Sequence, residues 1–388
     1  MIVAHVDMDA FYASVEMARY PELRRVPMFV GGSERGVVLS ANYPARAYGI
    51  AGGMPSSRAR RLCPQVEVIH PDFDHYQDVS VGIREIFDTV TDLVEMASID
   101  EAFLDLTTAM RRLGGDPVEV GERLRAQVMD EQRVPCSVGI GPSKFIAKLA
   151  SQAAKPDGLK LVPADEVVNF LHPLPVEAIW GVGEVTAAKL HKLGLKHVRD
   201  IAMTKRSTLQ RALGAGQGGL LFDLAWGRDE RSVLARDPSE HSVGSQETFA
   251  RDTDDAEIVA TEILRMAERT ASRMRAQRMV GRTITLSVRF ADFTTITRTG
   301  TIAHHTDSTN DIYAEALRLF RRLHLQRARI RRVGVRVEKL VPKEGMYRQP
   351  ALDEPEHGWE EAEAAIDRAI LKFGPKAVQR ARLTRALC

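Results

Sequence analysis

Ile2-Val3-Ala4-His5-Val6-Asp7-Met8-Asp9-Ala10-Phe11-Tyr12-Ala13-Ser14-Val15-Glu16 is an apolar, β-rich run that meets two acids and then passes into a helical pattern. The reading predicts a strand that delivers carboxylates to its own end. Asp7 and Asp9 are two positions apart, so on a pleated strand they share a face, and the Met8 carbonyl points along the strand edge between them. Such a set of oxygens suits a hard cation.

A second stretch answers the first. In Ala97-Ser98-Ile99-Asp100-Glu101-Ala102-Phe103-Leu104-Asp105 two apolar runs flank the pair Asp100-Glu101, which reads as a hairpin with acids at its bend. Bringing Asp7, Asp100 and Glu101 together is costly unless cations neutralise them. Mg²⁺ fits, because carboxylates and substrate phosphates complete its octahedron, and a pair of such ions serves in-line phosphoryl transfer. Acids in these places also cap helices and fill turns, and spacing alone leaves both readings open.

With 388 residues the chain suits two to four domains, and 44% hydrophobic content supports packed cores. No apolar run reaches about 18 residues and no basic region precedes an apolar signal core, so the expectation is a cytoplasmic protein without membrane contact. Cys63, Cys136 and Cys388 are odd in number and unpaired in spacing, which argues against a disulfide framework or a zinc site. The net charge of +2 hides a division: residues 242–341 carry 18 basic and 12 acidic side chains, whereas residues 1–164 carry 18 and 22. A basic module beside an acidic catalytic region fits a polyanion held by one part and processed by another.

Further along, Ser40-Ala41-Asn42-Tyr43-Pro44-Ala45-Arg46 offers a hydroxyl, a phenol and a guanidinium, a set that suits a triphosphate, although Tyr43 and Arg46 also make an ordinary cation–π pair. Pro135-Cys136-Ser137-Val138-Gly139-Ile140-Gly141 reads as a buried strand and Ser143 to Ala154 as a helix, which Lys155-Pro156 ends. Gly181-Val182-Gly183 joins two helical patterns in the manner of a helix-hairpin-helix, where backbone N–H groups can approach phosphate, with Lys189 on the second helix. A plain helical turn is the alternative. From 242 to 341 four strand-like runs and two helical runs suggest a ββαβ-type sheet under two helices, on which Arg289, Arg331 and Arg332 are candidate phosphate contacts. Beyond Pro342, seven acids between Asp353 and Asp367 precede a basic, helix-like end, so a partly disordered tail is expected.

Val6 to Glu16, Ala41 to Arg46, Ser98 to Asp105, and Val138 to Gly141 with Ala154-Lys155-Pro156-Asp157-Gly158 resemble, in this order, motifs of Y-family DNA polymerases, most of all the DNA polymerase IV (DinB) group. The resemblance runs from Met1 to about Val341. It implies a multidomain α/β (α+β) right hand: a split-βαβ palm at 1–10 and 73–164, small fingers at 11–72, a helical thumb at 165–230, a linker at 231–241, a little finger at 242–341 and a tail at 342–388. The implied activity is low-fidelity, template-directed translesion synthesis, adding deoxynucleotides to a primer 3′-hydroxyl without a proofreading nuclease.

The same resemblance implies two Mg²⁺ ions, replaceable by Mn²⁺, held by Asp7, Asp100, Glu101 and the Met8 carbonyl. Phe11, Tyr12, Ser40, Tyr43, Arg46 and Lys155 are then expected around the incoming nucleotide, with Tyr12 as the steric gate against ribose. The residues themselves leave open that Tyr12 is simple palm–fingers core. Ser40 stands where the family more often has Thr, and Leu39 is bulkier than the Ser or Ala common there, which bears on lesion preference. The expected partners are primer-template DNA and deoxynucleoside triphosphates, and a monomer is expected. Gln349-Pro350-Ala351-Leu352 resembles the sliding-clamp peptide of bacterial polymerases without its aromatic end. A palm-type nucleotidyl cyclase and a non-catalytic DNA-binding scaffold are the rival readings; the hairpin and basic module speak against the first, the intact acids against the second.

Overall fold

In the computed structural model Val3–Met8 is the central strand of a five-stranded sheet, in the order Val94–Met96, Glu101–Asp105, Val3–Met8, Cys136–Gly141, Leu159–Leu161. The structure describes residues 1–32, 35–113, 115–235, 241–345, 358–374 and 377–384. Both neighbours of the central strand run antiparallel to it, and Asp7 stands opposite Glu101 on one side and Ser137 on the other.

The two-residue period of the strand decides what each face does. Ala4, Val6 and Met8 enter a large core with Ile83 and Phe87 of the helix Phe73–Asp88 and with Leu124 and Val128 of the helix Pro117–Gln132. Val3, His5 and Asp7 take the other face, where the helix Lys144–Ala154 lies. Ser143 caps this helix by accepting the Ile146 N–H. A Cβ at Gly139 would overlap the Ala147 carbonyl and the Ser151 nitrogen, so the glycine is what lets helix backbone lie directly on the sheet.

The strand stops at Met8. Asp9 and Ala10 form a turn, with Ala10 in the left-handed region at φ 48°, and the helix Phe11–Arg19 begins. A three-stranded sheet of Val38–Ala41, Met28–Gly31 and Glu67–Ile69 follows, with its own small core around Phe29, Ile50 and Ala59. Asn42, fully buried, accepts the Ala45 and Met28 N–H groups at 3.0 and 3.1 Å and donates to the carbonyls of Val26 and Leu23 at 2.8 and 3.3 Å. One amide thereby fixes the start of the turn that carries Tyr43 and Arg46.

Short helices then enclose a third core that includes Leu171, Val182, Leu190 and Leu221. Before the hairpin glycines come the helix Val167–Leu171 and a three-residue 3₁₀ turn, Val176–Ala178, and Gly183 is the N-cap of the helix Glu184–Lys192. No helix among the described residues is long and apolar enough to cross a membrane.

Met1–Asp237 and Pro238–Cys388 are two compact units. In the second, the chain order is Ser242–Thr253, helix Ala256–Ala276, Met279–Phe290, Thr295–Thr306, helix Thr309–Arg321, Ile330–Glu338. The four strands and two helices expected of 242–341 are present, in the order βαββαβ. The antiparallel sheet runs Thr295–Thr306, Met279–Phe290, Ile330–Glu338, Ser242–Thr253.

The tail differs more. Trp359–Phe373 is a 15-residue helix docked on this unit. Glu363, only 2% exposed, accepts the Thr309 N–H and pairs with Arg275 at 3.0 Å and Arg380 at 2.6 Å, while Asp367 takes Arg275 at 2.5 Å. Glu363 and Asp367 are four apart and share a helix face, so the two acids together tie this helix to Arg275. Residues 236–240 of the expected linker and Gln349 to Leu352 lie outside the described residues.

Candidate active site

The hairpin turn brings Asp100 and Glu101 beside Asp7 through the register of the two strands, and the Met8 N–H donates to the Asp100 carbonyl at 3.0 Å. Each carboxylate already has its own partner. Asp7 Oδ1 lies 2.5 Å from Lys155 Nζ, and the same ammonium is 3.5 Å from the Met8 carbonyl oxygen. Asp100 accepts the Ser98 hydroxyl at 2.5 Å. Glu101 Oε2 is in contact with Lys148 Nζ. In this arrangement no three His, Cys, Asp or Glu side chains among the described residues are gathered closely enough to hold one metal ion.

Burial is the main force pushing the Asp100 carboxyl above its ordinary range, with Asp7 and Glu101 adding to it and Ser98 opposing. Glu101 goes the other way and is held down at about 2 by His5 and Lys148. The ammonium is the firmer of these two partners. His5 Nε2 is 3.4 Å from Glu101 Oε2 without hydrogen-bonding geometry, and burial pushes the ring towards its neutral form. An acid whose charge is disfavoured by burial, beside one whose charge is strongly favoured, makes a site that an added positive charge would relieve.

Asp7, Met8, Phe11, Tyr12, Ser40, Arg46, Asp100 and Lys155 line one cleft of about 180 Å³. Acids and cations share its wall, with Lys155 Nζ set directly against Asp7. Ser40 Oγ lies 3.4 Å from the Ala13 nitrogen, and Arg46 donates Nε to the Ala41 carbonyl at 2.9 Å while its guanidinium stacks 4.8 Å from the Tyr43 ring centre. The Tyr43 hydroxyl reaches Asp9 at 3.4 Å, and burial together with Asp9 pushes its pKa up to about 12, so it stays a phenol. Leu39 also lines the cleft.

Tyr12 has two sides. It lines the cleft, and its ring also packs 4.7 Å from Tyr76 and 6.0 Å from Phe73. Tyr76 is itself pinned by a 2.7 Å bond to the buried Glu16 carboxylate.

Away from the cleft, Gly181 has φ 98° and neither it nor Gly183 has an atom within 4 Å of where a Cβ would sit, which leaves the hairpin backbone open. Lys189 is exposed on the helix that follows. In the second unit Arg289 and Arg332 are directly opposite each other on adjacent strands. Burial and the neighbouring Arg289 lower the Arg332 pKa. Arg331 sits at a bulge instead, 3.7 Å from Asp252 and stacked on Phe293, so it is tied to its own unit.

Several residues of the site carried no sequence signal that singled them out. Asp9 reads as a twin of Asp7, yet it is fully buried and accepts Ser137 Oγ at 3.0 Å and the Asp157 N–H at 2.7 Å, so it anchors the strand end. Lys148 is visible only as the partner of Lys144 at helical spacing. Its meaning comes from lying about two turns before Lys155 and reaching Glu101, which needs the sheet to be in place.

The impB/mucB/samB family model matches residues 6–152, its C-terminal domain 240–352, and the family's helix-hairpin-helix motif 164–195. A DNA polymerase IV of Desulfatibacillum aliphaticivorans is 38% identical over 386 residues, 98% of this chain and 96% of that one. A Y-family DNA polymerase chimera of Dbh and Dpo4 superposes with a TM-score of 0.79 at 27% identity, covering 88% of this chain and all (100%) of that one. An insertion ternary complex of Dbh DNA polymerase gives a TM-score of 0.60 at 26% identity over the same shares, 88% and 100%. Motifs, fold and matches at both ends of the chain agree, and the chain belongs to the Y-family DNA polymerases, in the DNA polymerase IV group, as a DNA-directed DNA polymerase.

Proposed function

We propose that this polymerase extends a primer 3′-hydroxyl by a two-metal phosphoryl transfer at Asp7, Asp100, Glu101 and the Met8 carbonyl, with low fidelity and no proofreading. The observation that carries the reading is the single cleft in which Asp7, Met8 and Asp100 face Lys155 and Arg46. The donor set is all hard oxygen, as Mg²⁺ or Mn²⁺ requires. Lys155 Nζ, between Asp7 and the Met8 carbonyl, stands in for a cation there. When bound, the two ions would sharpen the primer hydroxyl as a nucleophile and stabilise the departing pyrophosphate.

The chain's own residues do the rest. Arg46 and Lys155 neutralise triphosphate oxygens, Ser40 and Tyr43 donate hydroxyls to them, and Phe11 and Tyr12 floor the sugar. Nucleotide entry draws Lys155 towards phosphate and so frees Asp7. Family membership across the C-terminal domain sets the cyclase reading aside. Primer extension with the four deoxynucleotides, titrated with Mg²⁺ and with Mn²⁺, tests the reading; extension that survives complete chelation overturns it.

Primer-template DNA is held, in this reading, by the hairpin at Gly181 and Gly183 with Lys189, and by the sheet of the second unit. Like charges directly opposite on a sheet are unfavourable, so Arg289 facing Arg332 is an arrangement that a phosphate relieves. Replacing both by Ala should lower the slope of log affinity against log salt by about one unit per residue. Filter binding at four salt concentrations measures it, and an unchanged slope moves the phosphate grip elsewhere. Arg331, already paired with Asp252, should contribute less.

A further inference from the structure

Trp180 immediately precedes the hairpin glycine Gly181, yet its indole lies over the catalytic sheet. The ring stacks on Phe103, 5.8 Å between centres and 27° between planes, and Phe103 is two residues beyond Glu101 on the same strand face. Lys148 Nζ lies 5.4 Å from the indole centre while in contact with Glu101. Arg231 covers the indole from the chain leaving the unit, 4.5 Å from its centre, and is itself held by Asp229 at 2.6 Å. Asp229 also accepts the Phe145 N–H at 3.0 Å. The indole thus touches the strand that carries Glu101 and the cation that holds it.

We propose that Trp180 is a positioning residue that sets, through Lys148, how readily Glu101 accepts a divalent cation, so that the DNA-holding hairpin and the primer-side acid form one mechanical unit. This rests on the reading of Glu101 as a metal ligand. An ammonium beside a carboxylate competes with any incoming cation for the same oxygen. The indole face keeps that ammonium in place by cation–π attraction, and stacking on Phe103 fixes the height of the strand. Loss of the indole frees Lys148 towards solvent, which makes Glu101 a more available but less well placed ligand. The two consequences have opposite signs: cation affinity rises and turnover falls.

A role that was merely structural would lower both. The experiment is Mn²⁺ binding to the DNA-free protein by electron paramagnetic resonance, alongside kcat for single-nucleotide insertion, in wild type and in Trp180→Ala, Trp180→Phe, Lys148→Met and Glu101→Ala. Lys148→Met should bind Mn²⁺ at least about threefold more tightly and lose at least about tenfold in kcat; Trp180→Ala should move the same way by less. Trp180→Phe, which retains an aromatic face, should stay near wild type. Trp180 is 38% exposed, so the variants are expected to fold, and a thermal melt checks it. If Glu101→Ala weakens Mn²⁺ binding but Trp180→Ala changes neither quantity, or lowers both, the proposal is overturned and the metal reading stands. If Glu101→Ala leaves Mn²⁺ binding unchanged, the metal reading falls and takes the proposal with it.

Discussion

Asp100→Ala and Glu101→Ala should each cut primer extension by at least roughly 10³-fold while leaving primer-template affinity within about twofold of wild type. The separation follows from where the charges are. The acids lie at the end of the central sheet, where Asp100 accepts the Ser98 hydroxyl and Glu101 holds Lys148, whereas the candidate phosphate contacts are the hairpin and the second unit's sheet. Removing an acid therefore does not remove a DNA contact. The two variants should differ in stability. Asp100 is pushed towards its protonated form by burial, so its loss relieves repulsion with Asp7 and is expected to leave the fold as stable or slightly more so. Glu101 holds Lys148, and cutting that pair leaves a largely buried ammonium without its carboxylate, which costs about 1–3 kcal/mol. Extension assays, DNA binding and melting of both variants check all three statements, and near-normal extension by either one removes it from the metal set.

Much of this was legible before any coordinates. The alternation of apolar residues in Val3–Met8 and the apolar flanks of Asp100-Glu101 specify two strands, and once these pair, Asp7 and Glu101 must meet. Hydrophobic period and turn chemistry are local properties, so they survive in the sequence. What was not legible depends on contacts between distant segments. Asp9 and Asp7 look alike in the chain, and only the docking of Ser137 and Asp157 makes one of them an anchor. The tail shows the same limit. An acid-rich stretch reads as solvated until Arg275, from a helix 88 residues away from Glu363, supplies the partner. Trp180 lies beside a glycine hairpin, and nothing near it in sequence announces Phe103 or Lys148.

The same dependence on distant contacts governs Tyr12, for which the sequence left two readings open. Its ring is packed on Tyr76 and Phe73 on one side and lines the cleft on the other. Deleting the ring should therefore cost less than the roughly 3–5 kcal/mol of a fully enclosed aromatic, about 2 kcal/mol, because part of its surface already faces solvent in the cleft. In the proposed reading the cleft-facing side meets the sugar. Tyr76, fixed by Glu16, backs the Tyr12 ring, so that an added 2′-hydroxyl would meet the ring and lose its hydration without a replacement donor. Tyr12→Ala opens that space. It should keep dCTP insertion within about tenfold of wild type and raise the efficiency of CTP relative to dCTP by roughly 10²-fold. Paired single-nucleotide insertion assays with a thermal melt decide the matter: a folded variant that still rejects CTP leaves Tyr12 a packing residue, and the discrimination must then come from another side chain of the cleft.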